Sequence, residues 1–271
     1  MQRIQQALEL SRRDLDGTHG TPPKRESLAV PRVVPASHAI RRLRDIHPLP
    51  EATCDRQRLV LGAEGDETAA AYRVIRSRML QWLDAEGKSV VAMVSAAHDE
   101  GKTLSAVNLA LCLAQDTNHT VLLVDLDLRS PSVHRYLELD VAHGLERFID
   151  GTAVLEDLFV PVLNSRLVVL PCLSPVPGAS EILAGQGIRN LVAELRLRYA
   201  DRIILFDLPP ALVGDEALVF LPLADAVLVV IGEGTTRKDH LVRLAEVVGE
   251  IPVIGSILNR ARALPRSARR G

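Results

Sequence analysis

The sequence predicts an α/β fold in which helices cover both faces of a doubly wound, mostly parallel sheet. Apolar runs without polar alternation alternate along the chain with segments of helical periodicity. Such runs are typical of strands that are buried on both faces. Strands that alternate with helices are joined by right-handed crossovers and lie parallel in one sheet. We predict strands that begin at Val91 and Arg202, and strands over Val121–Asp125, Leu167–Leu170, Ala226–Ile231 and Val253–Leu258.

Helical segments precede and separate these strands. A helix over Glu67–Asp84 has Asp66 or Thr68 as a start signal and Gly87 as a stop signal. We predict the remaining helices at Leu104–Gln115, Val133–Tyr136, Leu145–Ile149, near Glu181, at Ile188–Tyr199, from Asp215 onward, and at Lys238–Val248.

Composition limits the classes of function. The chain has 271 residues, a net charge of −2 and three cysteines that form no CxxC pair. The charge gives no reason to expect a nucleic-acid partner, and the cysteines fit a reducing compartment. Because no apolar run approaches the ~18 residues that cross a bilayer and no signal peptide opens the chain, we expect a cytoplasmic protein unless a partner brings it to a membrane.

The chain divides into four unequal parts. Residues 1–16 form a short amphipathic pattern, which indicates either a docking helix or a frayed terminus. Residues 17–60 are rich in proline and arginine and lack periodicity, so we predict a flexible linker. Residues 61–262 hold all the predicted strands and form the α/β domain, and residues 263–271 are a basic tail that we expect to be disordered.

The stretch VAMVSAAHDEGKTLSAVNLA, residues 91–110, has the order of a phosphate-binding loop. An apolar strand ends in a small polar loop, and Gly101, Lys102 and Thr103 then open a helix. In such a loop the backbone N–H groups and the helix N-terminus bind an anion. Lys102 would reach the terminal phosphates and the Thr103 hydroxyl would bind Mg²⁺. The strict motif has a glycine where this chain has Ala96.

Two further segments place carboxylates at the ends of predicted strands. In VLLVDLDLRSP the predicted strand ends at Asp125, with Asp127 two residues later, and in RIILFDLPP it ends at Asp207, which Leu208 and two prolines follow. Open α/β sheets bind ligands at the carboxyl ends of their strands, and carboxylates there suit a divalent cation. The three motifs in this order predict a P-loop NTPase that binds a nucleoside triphosphate with Mg²⁺.

The same three segments resemble the bacterial tyrosine kinase family, P-loop proteins of capsule and exopolysaccharide synthesis. The resemblance covers residues 67–260 and includes AYRVIRSRM, ASEIL and GSILNRA. The opening MQRIQQALE is similar to the cytoplasmic, separate-chain members. The resemblance implies that residues 61–262 are an ATP-binding, kinase-like domain that transfers phosphate to tyrosine.

The resemblance also implies roles for single residues. Lys102 binds phosphate and Thr103 binds Mg²⁺, with Asp125 and Asp207 completing the metal site. Asp127 is then the base or polarising carboxylate for an incoming tyrosine hydroxyl. The catalytic set is therefore Lys102, Asp125, Asp127 and Asp207.

The implied nucleotide contacts extend beyond the motif. Asn259 matches a position that can hydrogen-bond adenine, and Arg73 and Arg76 match arginines through which family members assemble into rings. We expect the nucleotide to contact the following residues: Asp99, Glu100, Gly101, Lys102, Thr103, Leu104, Asn259 and Arg260.

The chain also departs from the family pattern. Members usually end in a tyrosine cluster, whereas ARALPRSARRG contains none, and Tyr72, Tyr136 and Tyr199 lie in predicted helices. Ala70 stands where the ring motif begins with glutamate, and His98-Asp99 stand where Pro-Gly is common. These departures leave an ATPase switch without tyrosine phosphorylation as the alternative, and a partitioning or division-site ATPase as a remote one.

The resemblance implies partners as well. We expect a transmembrane polysaccharide co-polymerase as activator, which would recruit this cytoplasmic chain to the inner membrane. We also expect a homo-oligomer and a protein substrate.

Overall fold

A computed structural model of the chain describes residues 46–61, 66–116, 118–163, 166–198 and 202–261. Numbered along the chain, the strands are β1 (Val90–Ser95), β2 (Thr120–Asp125), β3 (Val160–Val162), β4 (Leu167–Leu170), β5 (Arg202–Asp207), β6 (Ala226–Gly232) and β7 (Val253–Asn259). The α-helices are α1 (Glu51–Gln57), α2 (Glu67–Glu86), α3 (Lys102–Leu113), α4 (Val133–Tyr136), α5 (Leu145–Ile149), α6 (Ala179–Ala184), α7 (Gln186–Arg198), α8 (Glu216–Phe220) and α9 (Lys238–Val248). Short 3-10 turns form at Leu155–Asp157 and Leu221–Leu223.

The strands form a seven-stranded sheet in the order β3-β4-β2-β5-β1-β6-β7. All neighbours pair in parallel except β3, which runs antiparallel to β4 at one edge. The predicted mostly parallel, doubly wound sheet is therefore confirmed. The sequence analysis missed β3, because a strand of three residues with Pro161 at its centre carries no periodicity and lacks one N–H donor.

Two apolar layers cover the two faces of the sheet. Along β1, Val90, Ala92 and Val94 pack into one layer, whereas Val91 and Met93 pack into the other. Because alternate side chains of a strand point to opposite faces, a strand in both layers must be apolar throughout. This explains the unbroken apolar runs in the sequence.

The helix before the sheet forms where its start and stop signals predict it. The Asp66 carboxylate accepts a hydrogen bond from the Thr68 amide at 2.8 Å and caps α2. Gly87, with φ of 60°, ends the helix in the left-handed conformation. No helix in the described ranges is long and apolar enough to cross a membrane.

The predicted linker ended too late. Residues 46–60, which we call the strap, pack on the domain: His47 pairs with Val162 of β3, and α1 follows. Leu49, Cys54 and Leu59 of the strap are buried in the same apolar layer as α3. Because these apolar side chains are buried, residues 46–60 are attached to the domain, although their composition predicted a linker. The predictions for residues 1–45 and for the tail, residues 263–271, lie outside the described residues.

Candidate nucleotide-binding site

The candidate site lies at the edge of the sheet where β1, β2 and β5 end. Asp207 pairs in register with Asp125 of β2 and with Met93 of β1. The loops that follow these three central strands therefore meet at one place, as ligand sites of open α/β sheets do. Residues 96–101 form the phosphate loop between β1 and α3.

The conformation of the phosphate loop requires its glycine. Gly101 has φ of 84°, and a Cβ at this position would lie 1.7 Å from Nδ2 of Asn259. The left-handed backbone would strain any other residue here, and a Cβ would displace the Asn259 side chain from the loop. Asp99 also adopts a positive φ, 61°, with its side chain exposed, and aspartate tolerates this conformation better than most residues.

Lys102 is the first residue of α3 and is almost completely buried, with 6% of its surface exposed. Its Nζ lies 2.6 Å from Oδ1 of Asp207 and 4.0 Å from Oδ2 of Asp127. The Thr103 hydroxyl donates to the other oxygen of Asp207 at 2.6 Å. The lysine and hydroxyl of the motif are thus gathered around one buried carboxylate.

Burial disfavours the charged forms of the two carboxylates at the strand ends, Asp125 and Asp207. It raises the pKa of Asp207, although Lys102 and Thr103 favour the charged form. Burial also raises the pKa of Asp125 well above its ordinary value, and the charge of Asp207 adds to this shift. Such shifts are costly for stability and concentrate at functional sites, where a bound cation can relieve them.

The Asp125 side chain organises the turn between β2 and α4. One carboxylate oxygen accepts the Asp127 amide at 3.2 Å. The other accepts the amides of Ser132 and Val133 at 2.9 and 3.0 Å. Asp125 therefore fixes the backbone that presents Asp127, whose own carboxylate accepts the Ser130 amide at 3.0 Å.

An open cavity of about 200 Å³ lies over the phosphate loop. Of the predicted site residues, Asp99, Glu100, Gly101, Lys102, Thr103, Asp127 and Arg260 line it. Asp125 and Asp207 are fully buried beside it, and Leu104 and Asn259 do not line it. Asp127 is therefore the carboxylate of the two strand-end motifs that faces the cavity.

Sequence reasoning missed the contribution of the β2–α4 turn. Ser130, Ser132 and Tyr136 line the cavity, and the Ser132 hydroxyl donates to the Thr103 hydroxyl at 3.3 Å. The signal was present, because these residues directly follow the second motif and its strand ends at the same edge. The turn held by Asp125 brings Ser132 to Thr103, and Tyr136 follows at the end of α4.

Asn259 contacts the phosphate loop itself. Its Nδ2 donates to the Glu100 carbonyl oxygen at 3.0 Å, and its Oδ1 accepts the Arg260 amide at 2.9 Å. Arg260 follows with φ of 60° and reaches the cavity. The proposed contact between Asn259 and adenine stays a prediction, since both polar atoms of the amide already have protein partners.

Comparison with known proteins identifies the relatives of this arrangement. The family model of the CobQ/CobB/MinD/ParA nucleotide binding domain matches residues 91–271. The tyrosine-protein kinase YwqD of Bacillus subtilis is 31% identical over 69% of this chain and 79% of its own length. The chain belongs to the bacterial tyrosine kinase family.

Two further similarities place this bacterial tyrosine kinase among its relatives. The chain is 30% identical to the succinoglycan biosynthesis transport protein ExoP of Rhizobium meliloti over 75% of its length, but it spans only 26% of ExoP. The VpsO kinase domain is 29% identical and superposes with a TM-score of 0.63 over 74% of this chain and 100% of that domain. The chain therefore shares its fold with the VpsO kinase domain.

The arginines that match the family's ring motif lie on α2. Arg76 donates from Nη1 to the Cys112 carbonyl oxygen at 3.0 Å, and Arg73 is half-buried. In this bacterial tyrosine kinase, Arg76 therefore has a packing contact with α3. The predicted assembly into rings stays a prediction.

The tyrosines of this bacterial tyrosine kinase differ in accessibility. Tyr72 is buried, with 7% of its surface exposed. Tyr136 is half-buried and lines the cavity, so it is not enclosed in the core. Tyr199 lies outside the described residues.

Proposed function

We propose that the chain is an ATP-dependent protein-tyrosine kinase that regulates exopolysaccharide or capsule biosynthesis and export. The observation that carries this proposal is the placement of Lys102 and Asp127 on one cavity, at the open end of a phosphate loop. A lysine ammonium beside a cavity-facing carboxylate suits a polyphosphate and an incoming hydroxyl. The relatedness to YwqD and to the VpsO kinase domain supports this choice over an ATPase switch.

The phosphate groups would be bound by the loop and by the start of α3. The first N–H groups of a helix have no acceptor within it, and the helix dipole favours an anion at that end. Lys102 adds a full positive charge at the same point. If phosphate took the place of Asp207 on this ammonium, the buried Asp207 carboxylate would need the charge of the cation in its stead.

Asp127 is suited to receive the proton of the tyrosine. In the transfer the phenol oxygen bonds to the γ-phosphorus, the bond from that phosphorus to the β–γ bridging oxygen breaks, and ADP leaves. The phenolic proton moves to the Asp127 carboxylate, which faces the cavity with 6% of its surface exposed. The Lys102 ammonium, 4.0 Å from Oδ2, attracts this carboxylate and holds it at the cavity.

Mg²⁺ would be held by Thr103, Asp207 and Asp125. Hydroxyl and carboxylate oxygens are the hard ligands that Mg²⁺ prefers, and in nucleotide sites it takes phosphate oxygens as further ligands. In the described part of the chain no group of three His, Cys, Asp or Glu side chains could hold a metal alone, which fits a cation that arrives with the nucleotide. Bound there, it would neutralise charge that develops on the transferred phosphoryl group.

The wider setting is also a proposal. We infer that a membrane-embedded polysaccharide co-polymerase activates the chain and recruits it from the cytoplasm to the inner membrane, and that the chain forms homo-oligomers. The similarity to ExoP, a biosynthesis transport protein of which this chain spans about a quarter, supports such a partner.

Incubation with Mg·ATP, followed by intact-mass and phosphopeptide analysis with free phosphate measured in the same tube, tests the activity. We expect phosphotyrosine on this chain or on an added tyrosine-containing protein, and its loss in Lys102→Ala. Phosphate release without phosphotyrosine would contradict the kinase assignment and favour the ATPase switch.

A further inference from the structure

Glu100 is a buried carboxylate within the phosphate loop, where a polyanion is expected to bind. Only 1% of its surface is exposed. Its Oε2 accepts the amides of Ala96 and Ala97 at 2.8 and 3.1 Å. A buried charge is stable only when it is hydrogen-bonded, and these bonds close the base of the loop.

The second carboxylate oxygen binds a different part of the chain. Oε1 accepts the Thr236 hydroxyl at 2.5 Å, and the same hydroxyl accepts the Gly232 amide at 2.9 Å. Gly232 ends β6, and Thr236 lies in the turn toward α9. Glu100 thus connects the phosphate loop to the β6–α9 turn across the carboxyl edge of the sheet.

The backbone of Glu100 makes a third connection. Its carbonyl oxygen accepts a hydrogen bond from the side-chain Nδ2 of Asn259. The backbone carbonyl oxygen of Asn259 in turn accepts a hydrogen bond from the Glu233 amide at 2.9 Å. A Cβ on Gly232 would lie 3.4 Å from the Glu100 Cα and 2.2 Å from the Thr235 hydroxyl, so the turn packs closely on the loop. The loop, the turn and the end of β7 form one hydrogen-bonded unit.

We propose that Glu100 is a positioning residue that sets the shape of the phosphate loop through Thr236. Its side chain does not serve as a nucleotide ligand, since a carboxylate repels phosphate and its oxygens accept hydrogen bonds from the loop and from Thr236. Because Glu100 uses the amides of Ala96 and Ala97, the phosphates would be bound by the later part of the loop, the start of α3 and Lys102. This role rests on the proposed nucleotide-binding function.

The role has a consequence for the β6–α9 turn. A carboxylate held by Thr236 fixes the loop before nucleotide binds, and pre-organisation of a site lowers the cost of binding. Loss of the Thr236 hydroxyl should leave the fold intact but allow the loop to adopt other conformations. Nucleotide affinity should then fall although no residue of the cavity has changed.

The test measures the Kd of Mg·ATP by calorimetry for Thr236→Val, which keeps the size of the side chain but removes the hydroxyl. We expect affinity to fall about tenfold, the effect typical of losing a hydrogen bond to a charged group. Thr236→Ser, which restores the hydroxyl, should return the affinity to that of the wild type. Thr235→Val is the matched control, because the Thr235 hydroxyl donates to the Gly232 carbonyl oxygen of its own turn rather than to Glu100.

A second variant keeps the test decisive if Thr236→Val does not fold. Glu100→Asp retains the charge but shortens the side chain, so it cannot reach the loop amides and Thr236 together, and we expect the same loss of affinity. Wild-type affinity in Thr236→Val or in folded Glu100→Asp would overturn the proposal while leaving nucleotide binding established. Failure of the wild-type chain to bind Mg·ATP would instead contradict the proposed function itself.

Discussion

The cavity edge of the sheet and the strap differ in whether the folded protein favours the charged form of their carboxylates. At the edge, burial raises the pKa values of Asp125 and Asp207, so their charged forms are disfavoured by the fold. Where the strap meets the residues after α4, hydrogen bonds from Arg56, Thr53 and Gln57 lower the pKa of exposed Glu138, so its charged form is favoured. The fold therefore favours the carboxylate that the strap contacts, whereas it disfavours the two carboxylates at the proposed nucleotide site.

The two regions also differ in what their packing accomplishes. Buried Leu49, Cys54 and Leu59 attach the strap to the apolar layer beneath α3. At the edge, by contrast, buried polar groups outnumber apolar ones around the cavity and position Lys102. Substitutions at the edge should therefore change binding and turnover, and substitutions on the strap should change stability.

The largest effect is expected for Lys102→Ala. Removal of the buried ammonium deletes the positive charge that would contact the phosphates, so Mg·ATP affinity should fall by about 100-fold or more. Calorimetric titration checks this, with circular dichroism to confirm the fold. Lys88→Ala, which removes a lysine at the opposite end of β1 that pairs with Asp225, is the control. Unchanged affinity in Lys102→Ala would contradict the proposal that residues 96–101 and Lys102 bind the phosphates.

Asp127→Asn should separate binding from chemistry. The amide keeps the size of the side chain but cannot accept the tyrosine proton, so turnover should fall about 100-fold or more while Mg·ATP affinity is retained. Phosphotyrosine formation under saturating Mg·ATP measures this, and Asp239→Asn, on an exposed ion pair with Arg237, serves as the control. Turnover at the wild-type rate would show that Asp127 is not the base.

Leu59→Ala, on the strap, should lower stability without changing nucleotide binding. Leu59 is 7% exposed, and truncation of a buried leucine costs about 2–3 kcal/mol of unfolding free energy. Urea unfolding should show this loss, whereas Mg·ATP affinity at low temperature should stay within about twofold. Leu61→Ala, which truncates a leucine that is 37% exposed, should destabilise much less. A large loss of affinity with unchanged stability would contradict the separation of the two regions.

Glu138→Gln should have the smallest effect, and its sign depends on pH. Because the folded pKa of Glu138 lies below its ordinary value of 4.5, the charged form stabilises the fold above that value and the contribution is lost as pH falls through the lowered pKa. The melting temperature of the variant should therefore lie slightly below that of the wild type at neutral pH. The difference should vanish in acid, and a difference that persisted there would exclude an ionic role for Glu138.

How much the sequence predicts differs between the two regions. Asp125 and Asp207 follow from their places at the ends of apolar runs, and Lys102 and Thr103 follow from the order of strand, polar loop and helix. The direction in which Asp125 and Glu100 point does not follow, since it depends on amides of turns that form only in the folded chain.

The strap could not be predicted for a related reason. Leu49, Cys54 and Leu59 lie five residues apart, a spacing that matches neither a helical nor a strand period. Their burial depends on the surface offered by α3 and α4, which are distant in sequence. Likewise Asn259 reaches Gly101 only because β7 joins the sheet beside β6.

Hydrogen exchange of the full chain with and without saturating Mg·ATP tests the central claim most directly. If the nucleotide binds at the cavity edge, amides of residues 96–105 and 126–132 should become protected from exchange. The strap, residues 46–60, should exchange at the same rate in both conditions. Protection confined to the strap or to α9, with residues 96–105 unchanged, would contradict the account.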